Sequence, residues 1–314
     1  MTTMTPPTEL DEVEAKAAKD KRRVQSRHAW TSRGLLMPAL VFLILLTQIP
    51  FLTTIGFSLM EWNLLYPQER GFTGFDNYQT ALTSGELWPS IVATVLITAF
   101  SVVLSLLFGL LFAMLLDRNL PGRAIARTLM ITPFLIMPAA ASLIWKYSMF
   151  DTNIGILNWL FNTLGLPTVS WSTDYPMATV VIVLTWIFTP FMMLILLAGL
   201  QGQSKEVLEA AQVDGAGAWR TFTWITLPHL RMYIEIGTLL GSVIILQVFD
   251  PIAILTKGTG GTKTLAYLLY ERAFIGLNVG EAAAYGVVTV ILTIIVATIA
   301  LKTTFKVFMA GGSR

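Results

Sequence analysis

Six long apolar runs, at about 35–60, 89–116, 128–149, 177–201, 230–255 and 282–308, constrain this chain more than any other feature. The first, second and fourth contain no Asp, Glu, Lys or Arg. About 20 apolar residues suffice for a helix to cross the hydrocarbon of a bilayer. A helix is the natural form there because it pairs all its own backbone groups. The expected fold class is therefore an all-α membrane protein with six transmembrane helices. Composition agrees: of 314 residues, 54% are hydrophobic and 13% charged, with mean hydropathy +0.67. A soluble domain carries about 25% charge. The net charge of +2 is too small to point to nucleic acid. With no cysteine there is no disulfide, thiolate metal site or cysteine nucleophile. His28 and His229 flank apolar runs and read as solvated side chains, so no metal site is expected.

Six spans put both termini on one side, and Lys and Arg choose it. Residues 1–33, the 117–127 and 202–231 segments and the C-terminus hold sixteen of them; the alternate loops hold five, namely Arg70, Lys146, Lys257, Lys263 and Arg272. This places both termini in the cytoplasm. The expected organisation is a cytoplasmic tail over 1–33, a six-helix domain over 34–309 and a short cytoplasmic tail over 310–314. A basic tail before an apolar run also suits a signal peptide. The charge-free run from Gly34 to Met60 is too long for that and has no obvious cleavage site, so it reads as an uncleaved span. Trp62, Tyr66, Tyr78 and Trp88 in the first outer loop suit an interfacial belt.

The 202–228 segment is water-facing and lies between two spans. Ser204 is a candidate N-cap, with Val207, Leu208 and Ala211 on one helical face. Asp214-Gly215 should end that helix, since glycine supplies the left-handed conformation common at a C-terminus. A second turn carries Trp219, Phe222 and Ile225, and Pro228 ends it or opens the next span. On spacing alone this is a helix-turn-helix connector. The string Lys257-Gly258-Thr259-Gly260-Gly261-Thr262-Lys263-Thr264 looks like a phosphate loop, but Lys257 and Thr262 stand where glycines are needed and the string falls on the outer side. ATP binding by this chain is therefore rejected.

Prolines 38, 50, 133, 138 and 190 imply kinks, with Pro133 and Pro190 on helices that could line a path. Gly237 and Gly241 let another backbone approach and read as a packing face. The few charges in the spans, Lys146, Glu235 and Asp250, lie near the ends, where snorkelling or a structural bond suits them.

The identities in the loop narrow the class. Glu209-Ala210-Ala211, Asp214-Gly215-Ala216, Phe222, Ile225 and Leu227-Pro228 closely resemble the EAA loop of permease subunits of ATP-binding-cassette importers. The family often has a further proline after Leu227-Pro228; here His229-Leu230-Arg231-Met232 follows. The likeness extends over most of 35–308, through 129–145, 186–199 and 274–300, and is to the maltose-importer type. The glycine-rich outer loop is similar to that of the larger-type subunit, without its usual Gly-Gly-Pro.

The resemblance implies a type I importer permease fold with a cytoplasmic coupling helix, not an enzyme. ATP and Mg would sit on a partner ATPase, with no cofactor on this chain. Implied partners are a second permease subunit in a heterodimer, a cytoplasmic ATPase dimer, an extracytoplasmic substrate-binding protein, a carbohydrate substrate and membrane lipid. Glu209, Ala210, Ala211, Asp214, Gly215, Ala216, Leu227 and Pro228 would couple to the ATPase. Alignment with the maltose-type subunit puts Leu184, Ile187, Phe188, Gly241, Ile244 and Ile245 at sugar-contacting positions. Trp186, Thr189 and Gln247 nearby offer stacking and hydrogen bonds. The 275–301 stretch is most similar to sugar-alcohol permeases, a lean towards a polyol or monosaccharide. Two readings compete: the same machine for a non-sugar solute, and a stand-alone secondary carrier. The shortage of charge in the spans argues against both.

Overall fold

The computed structural model describes residues 37–118 and 121–309. The tails expected over 1–33 and 310–314 lie outside the described residues. The chain divides into two compact units at Gly56/Phe57, each described by itself.

The first unit contributes most of α1 (Met37–Ser58), an apolar helix of 22 residues. Its Thr47, Thr53 and Thr54 hydroxyls donate to the carbonyls of Leu43, Ile49 and Pro50 at 2.7, 2.7 and 2.9 Å. A hydroxyl in hydrocarbon needs such a partner, and the carbonyl four residues back is the nearest.

The second unit begins with a two-stranded antiparallel ribbon, β1 (Met60–Glu61) on β2 (Gly71–Phe72), a small exception to the all-helical expectation. Helices follow: α2 (Asp76–Thr83), α3 (Leu87–Asp117), α4 (Arg123–Leu135), α5 (Pro138–Ile144), α6 (Ile156–Thr163), α7 (Trp171–Asp174) and α8 (Pro176–Gln201). Then come α9 (Lys205–Val213), α10 (Ala218–Thr221), α11 (Leu227–Leu246), α12 (Leu265–Tyr270) and α13 (Val279–Met309). Wider π-helical turns occupy Trp145–Met149, Phe222–Thr226, Ile252–Thr256 and Glu271–Ile275.

Five helices among the described residues are long and apolar enough to cross a membrane: Met37–Ser58, Leu87–Asp117, Pro176–Gln201, Ala218–Leu246 and Val279–Ile299. The run expected as one span over 128–149 is instead a broken pair, α4 and Pro138–Met149, meeting at 101°. The bend falls at Ile136 and Met137, both extended (ψ 135° and 133°). Met137 precedes Pro138, whose ring clashes with a helical conformation there. The run expected over 230–255 stops as a regular helix at Leu246. At its other end the helix continues from Ala218 through the π turn Phe222–Thr226, and Pro228 follows that turn at the start of α11.

The core is centred on α8. Val180, Val183, Leu184, Met192, Met193 and Leu196 are fully buried on it, so it is enclosed on several sides. On α3, Ser90, Thr94, Thr98, Ser101, Ser105 and Gly109 form a buried small-residue stripe at spacings of three and four. Small side chains let backbones close, and without a hydrophobic drive between helices that packing holds a membrane bundle together. A Cβ on Gly109 would stand 2.7 Å from Met192 Cβ and 2.9 Å from the Met193 backbone nitrogen. Met192 also reaches Gly237 and Gly241 of α11, so the expected glycine packing face is a seat for that side chain. Arg231 and Glu235 form an i,i+4 ion pair at 3.6 Å, a structural bond for both. His229, read as solvated, is part-buried, with Nε2 3.0 Å from the Gly199 carbonyl, because α8 and α11 pack closely at that end.

Candidate functional site

The loop between α8 and α11 is built by its caps. Ser204 Oγ accepts from the Val207 N–H at 3.4 Å and opens α9. At the far end the Gly215 N–H reaches the Gln212 carbonyl (3.0 Å) and the Ala216 N–H reaches Ala211 (2.9 Å), while Gly215 sits at φ +78°. These paired bonds are the Schellman ending, which needs one left-handed residue. Leu208 and Ala211 turn inward, and Glu209 and Ala210 turn outward. Val207, expected to share a face with Leu208 and Ala211, is exposed, and Val213 is 87% exposed. α9 thus presents a mixed apolar and acidic surface. Behind it lies a cavity of about 570 Å³ edged by Asp117, Arg118, Gln203, Gln212 and Phe222. Leu227 and Pro228 lie at the start of α11, joined to this loop through α10 and the π turn.

A second cavity, of about 480 Å³, lies among α3, α4 and α8. Its wall includes Phe108, Pro133, Trp145, Thr185, Trp186 and Thr189, with no charged side chain among the lining residues. The Trp145 and Trp186 rings meet edge to face at 5.7 Å. Thr189 Oγ1 donates to the Thr185 carbonyl at 2.6 Å, while Thr185 Oγ1 is buried with no hydrogen-bond partner among the described residues. Of the path residues expected from sequence, Trp186 and Thr189 are on this wall. Leu184, Ile187 and Phe188 turn into the core, as does Ile245 on α11. Gly241 is under Met192. Ile244 and Gln247 are exposed elsewhere, the latter donating to the Val243 carbonyl at 3.2 Å. Thr185 was readable from its i,i+4 relation to Thr189. Trp145 comes from another run and carried no sequence signal.

An ion cluster ties the glycine-rich loop to α3 and α13. Lys263 meets Glu271 at 2.7 Å and Glu86 at 3.5 Å; Arg272 pairs with Glu86 and, at 3.4 Å, with Glu281. The lysine that invited a phosphate reading is thus committed to carboxylates. Burial lowers the Lys263 pKa, but the hydrogen bond and charge of Glu271, with Glu86, outweigh it and leave it above 10.5. A raised lysine contributes stability that is complete below its unfolded pKa, about 10.4, and is lost only as pH rises through the higher folded value. The Lys263 contribution should therefore stay flat from pH 6 to 9 in thermal melts. Arg272→Met should remove about 1–2 kcal/mol: Arg272 and Glu86 are about a third exposed, so solvent screens that pair, while Glu281, 10% exposed, loses its cation. A melt unchanged by Arg272→Met would show the cluster to be solvated ornament.

Residues 105–307 match the family described as binding-protein-dependent transport system inner membrane component. A probable ABC transporter permease protein of Sinorhizobium fredii is 34% identical over 89% of this chain and 91% of its own length. The trehalose transport system permease protein of Mycobacterium tuberculosis is 34% identical over 85% and 86%. The trehalose/maltose transport system permease protein of Thermococcus litoralis is 32% identical over 89% and 95%. A chain of a bacterial ABC transporter involved in import of the acidic polysaccharide alginate superposes with TM-score 0.74 at 20% identity, covering 91% of this chain and 99% of that one. The chain belongs to the family of inner-membrane permease components of binding-protein-dependent transporters. Such a component is a transport subunit, and the ATPase is a separate chain.

Proposed function

We propose that this chain is half of the pore of an ATP-driven carbohydrate importer. The observation that carries the reading is the 480 Å³ cavity, where two tryptophan rings and two threonines line a wall without charge. A neutral polyol is recognised by aromatic faces and hydroxyl partners; an ionic solute would need a compensating charge there. The trehalose and trehalose/maltose relatives support the same class. Both termini and α9 face the cytoplasm by the bias of Lys and Arg. A second permease subunit completes the pore as a heterodimer, this chain being the larger-type member. A binding protein delivers substrate from outside.

The exposed face of α9, with Glu209, Ala210 and Val213, docks on a cytoplasmic ATPase. An exposed apolar patch on a polar loop is the usual mark of a partner surface. ATP and Mg are held by the partner. ATP binding shifts the pore outward only as far as the ATPase dimer binds ATP better in that state. α9 moves with the dimer, and the Schellman turn, α10 and α11 carry the motion to α8 and the cavity.

The test is ATPase activity of the complex purified through this chain, reconstituted with its binding protein and challenged with trehalose, maltose, glucose and sorbitol. Stimulation by at least one is expected. An ATPase that co-purifies but answers to none of them sinks the carbohydrate reading, and a complex without ATPase sinks the coupling one. Trp186→Ala is expected to raise the half-stimulating sugar concentration about tenfold, the equivalent of 1.4 kcal/mol of lost stacking. An unchanged value would remove Trp186 from the path.

A further inference from the structure

A third cavity, of about 240 Å³, opens beside the α5–α6 turn and α7. It lies on the outer face under the orientation above. Tyr147, Phe150 and Trp171 supply aromatic surface, and Lys146, Asp151 and Thr173 supply donors and acceptors of both signs. We propose that this pocket is an outer saccharide subsite, holding one sugar ring before it enters the membrane cavity. The proposal rests on the carbohydrate reading and extends it to a place that reading does not use.

Three features make the pocket a built site. First, buried Asn158 staples its two walls: Nδ2 donates to the Asp151 carbonyl (3.0 Å) and the Val169 carbonyl (2.9 Å), while Oδ1 accepts from the Val169 N–H (2.9 Å). An asparagine 1% exposed, with both amide N–H groups and its oxygen engaged, fixes the 151 turn against the irregular segment leading to α7. Second, the charged groups are held in place. Asp151 Oδ1 accepts from the Asn153 and Ile154 N–H groups at 2.8 and 3.1 Å, which keep its pKa below the usual carboxylate value. Lys146 Nζ donates to the Ile254 carbonyl at 2.7 Å and keeps two further N–H donors. Third, the aromatic floor is continuous with the inner cavity. Trp171 meets Phe150 at 5.6 Å, Phe150 meets Trp145 at 5.2 Å, and Trp145 meets Trp186 at 5.7 Å. The last two rings line the membrane cavity.

Sugar recognition asks for this combination: a flat apolar face under the ring and fixed polar groups at its rim. A cation and an anion on one small pocket favour a neutral ligand that both donates and accepts. The volume, about eight waters' worth, suits one pyranose and not two.

Because the chain has no cysteine, Thr173→Cys places a unique thiol on the rim. The experiment measures maleimide labelling of this variant in the full transporter complex without binding protein, so that docking cannot shield the rim. The sugar is whichever of trehalose, maltose, glucose and sorbitol stimulates the ATPase, added at saturation. Labelling is expected to slow at least threefold, while Thr163→Cys, at the end of α6 and off the pocket, labels at an unchanged rate. Adding Asp151→Asn, which still accepts from the two N–H groups but loses the charge, should raise the half-protecting concentration at least fivefold. Equal labelling with and without a stimulating sugar overturns the subsite and leaves the carbohydrate reading intact. So does protection that Asp151→Asn does not weaken. No stimulation by any sugar overturns both.

Discussion

Replacing Gly215 with valine is expected to lower ATP-driven uptake by tenfold or more, while Gly215→Asn retains most of it. The argument is conformational, not steric. A Cβ at Gly215 would meet nothing within 4 Å, so size alone should be tolerated. The backbone is the obstacle: at φ +78° an ordinary L-residue loses about 1–2 kcal/mol, and a β-branched one more. Asparagine tolerates the left-handed region, so the pair of variants separates conformation from bulk. If valine drives Gly215 out of that region, the bonds from its N–H and from Ala216 to Gln212 and Ala211 are lost together. The end of α9 then no longer fixes the direction of α10. A coupling element must transmit displacement as a rigid unit, so a loose turn separates hydrolysis from transport without removing any contact to the ATPase. Uptake and sugar-stimulated ATPase should be read side by side in proteoliposomes. The expected signature for valine is an ATPase that still co-purifies but no longer follows sugar. Normal uptake by Gly215→Val would falsify the coupling role of this turn.

The parts of the fold legible in the sequence are those set by local chemistry. Ser204 and Gly215 announce the two ends of α9 because a cap and a left-handed residue leave direct traces in residue type. The long apolar runs announce helices for the same reason. The 101° break at Met137 was less legible, because Pro133, Pro138 and Pro190 look alike in a string. Pro133 and Pro190 are inside continuous helices, and only the extended pair before Pro138 turns the chain. The membrane cavity was legible in part. Trp186 and Thr189 declare themselves as polarisable or hydroxyl-bearing residues in an apolar span, whereas Leu184, Ile187 and Phe188 lie in the core. Which face of α8 looks at the cavity depends on α3 and α4, and no periodicity on α8 alone reports that. Trp145 and the ion cluster of Glu86, Lys263, Glu271, Arg272 and Glu281 were hidden for a related reason. Their partners are far apart in sequence, and one sequence read by itself carries no trace of such pairings.

Gly109→Ala is expected to cost far more stability than Gly241→Ala, with loss of most of the folded, monodisperse subunit. This glycine lies on the buried stripe of α3, and the added Cβ would fall 2.7 Å from Met192 Cβ and 2.9 Å from the Met193 nitrogen. Neither atom can yield by a rotamer change, since one is fixed by the backbone and the other belongs to it. The helices must move apart, and the contact of the Ser105 hydroxyl with the Thr185 carbonyl of α8 loosens with them. Overpacking in a well-filled core costs about 1–3 kcal/mol and more when backbone must shift. Gly241→Ala is the matched comparison. There the new methyl meets Cε of the same Met192, the mobile end of a long thioether side chain. Methionine refits at small expense, so a loss of about 1 kcal/mol is expected. Size-exclusion profiles and thermal midpoints of the two variants in one detergent give the ranking. A Gly109→Ala subunit as stable as Gly241→Ala would mean that α3 and α8 are not in backbone contact at Met192. The three-helix seat around that residue would then have to be redrawn, because it rests on this closest approach.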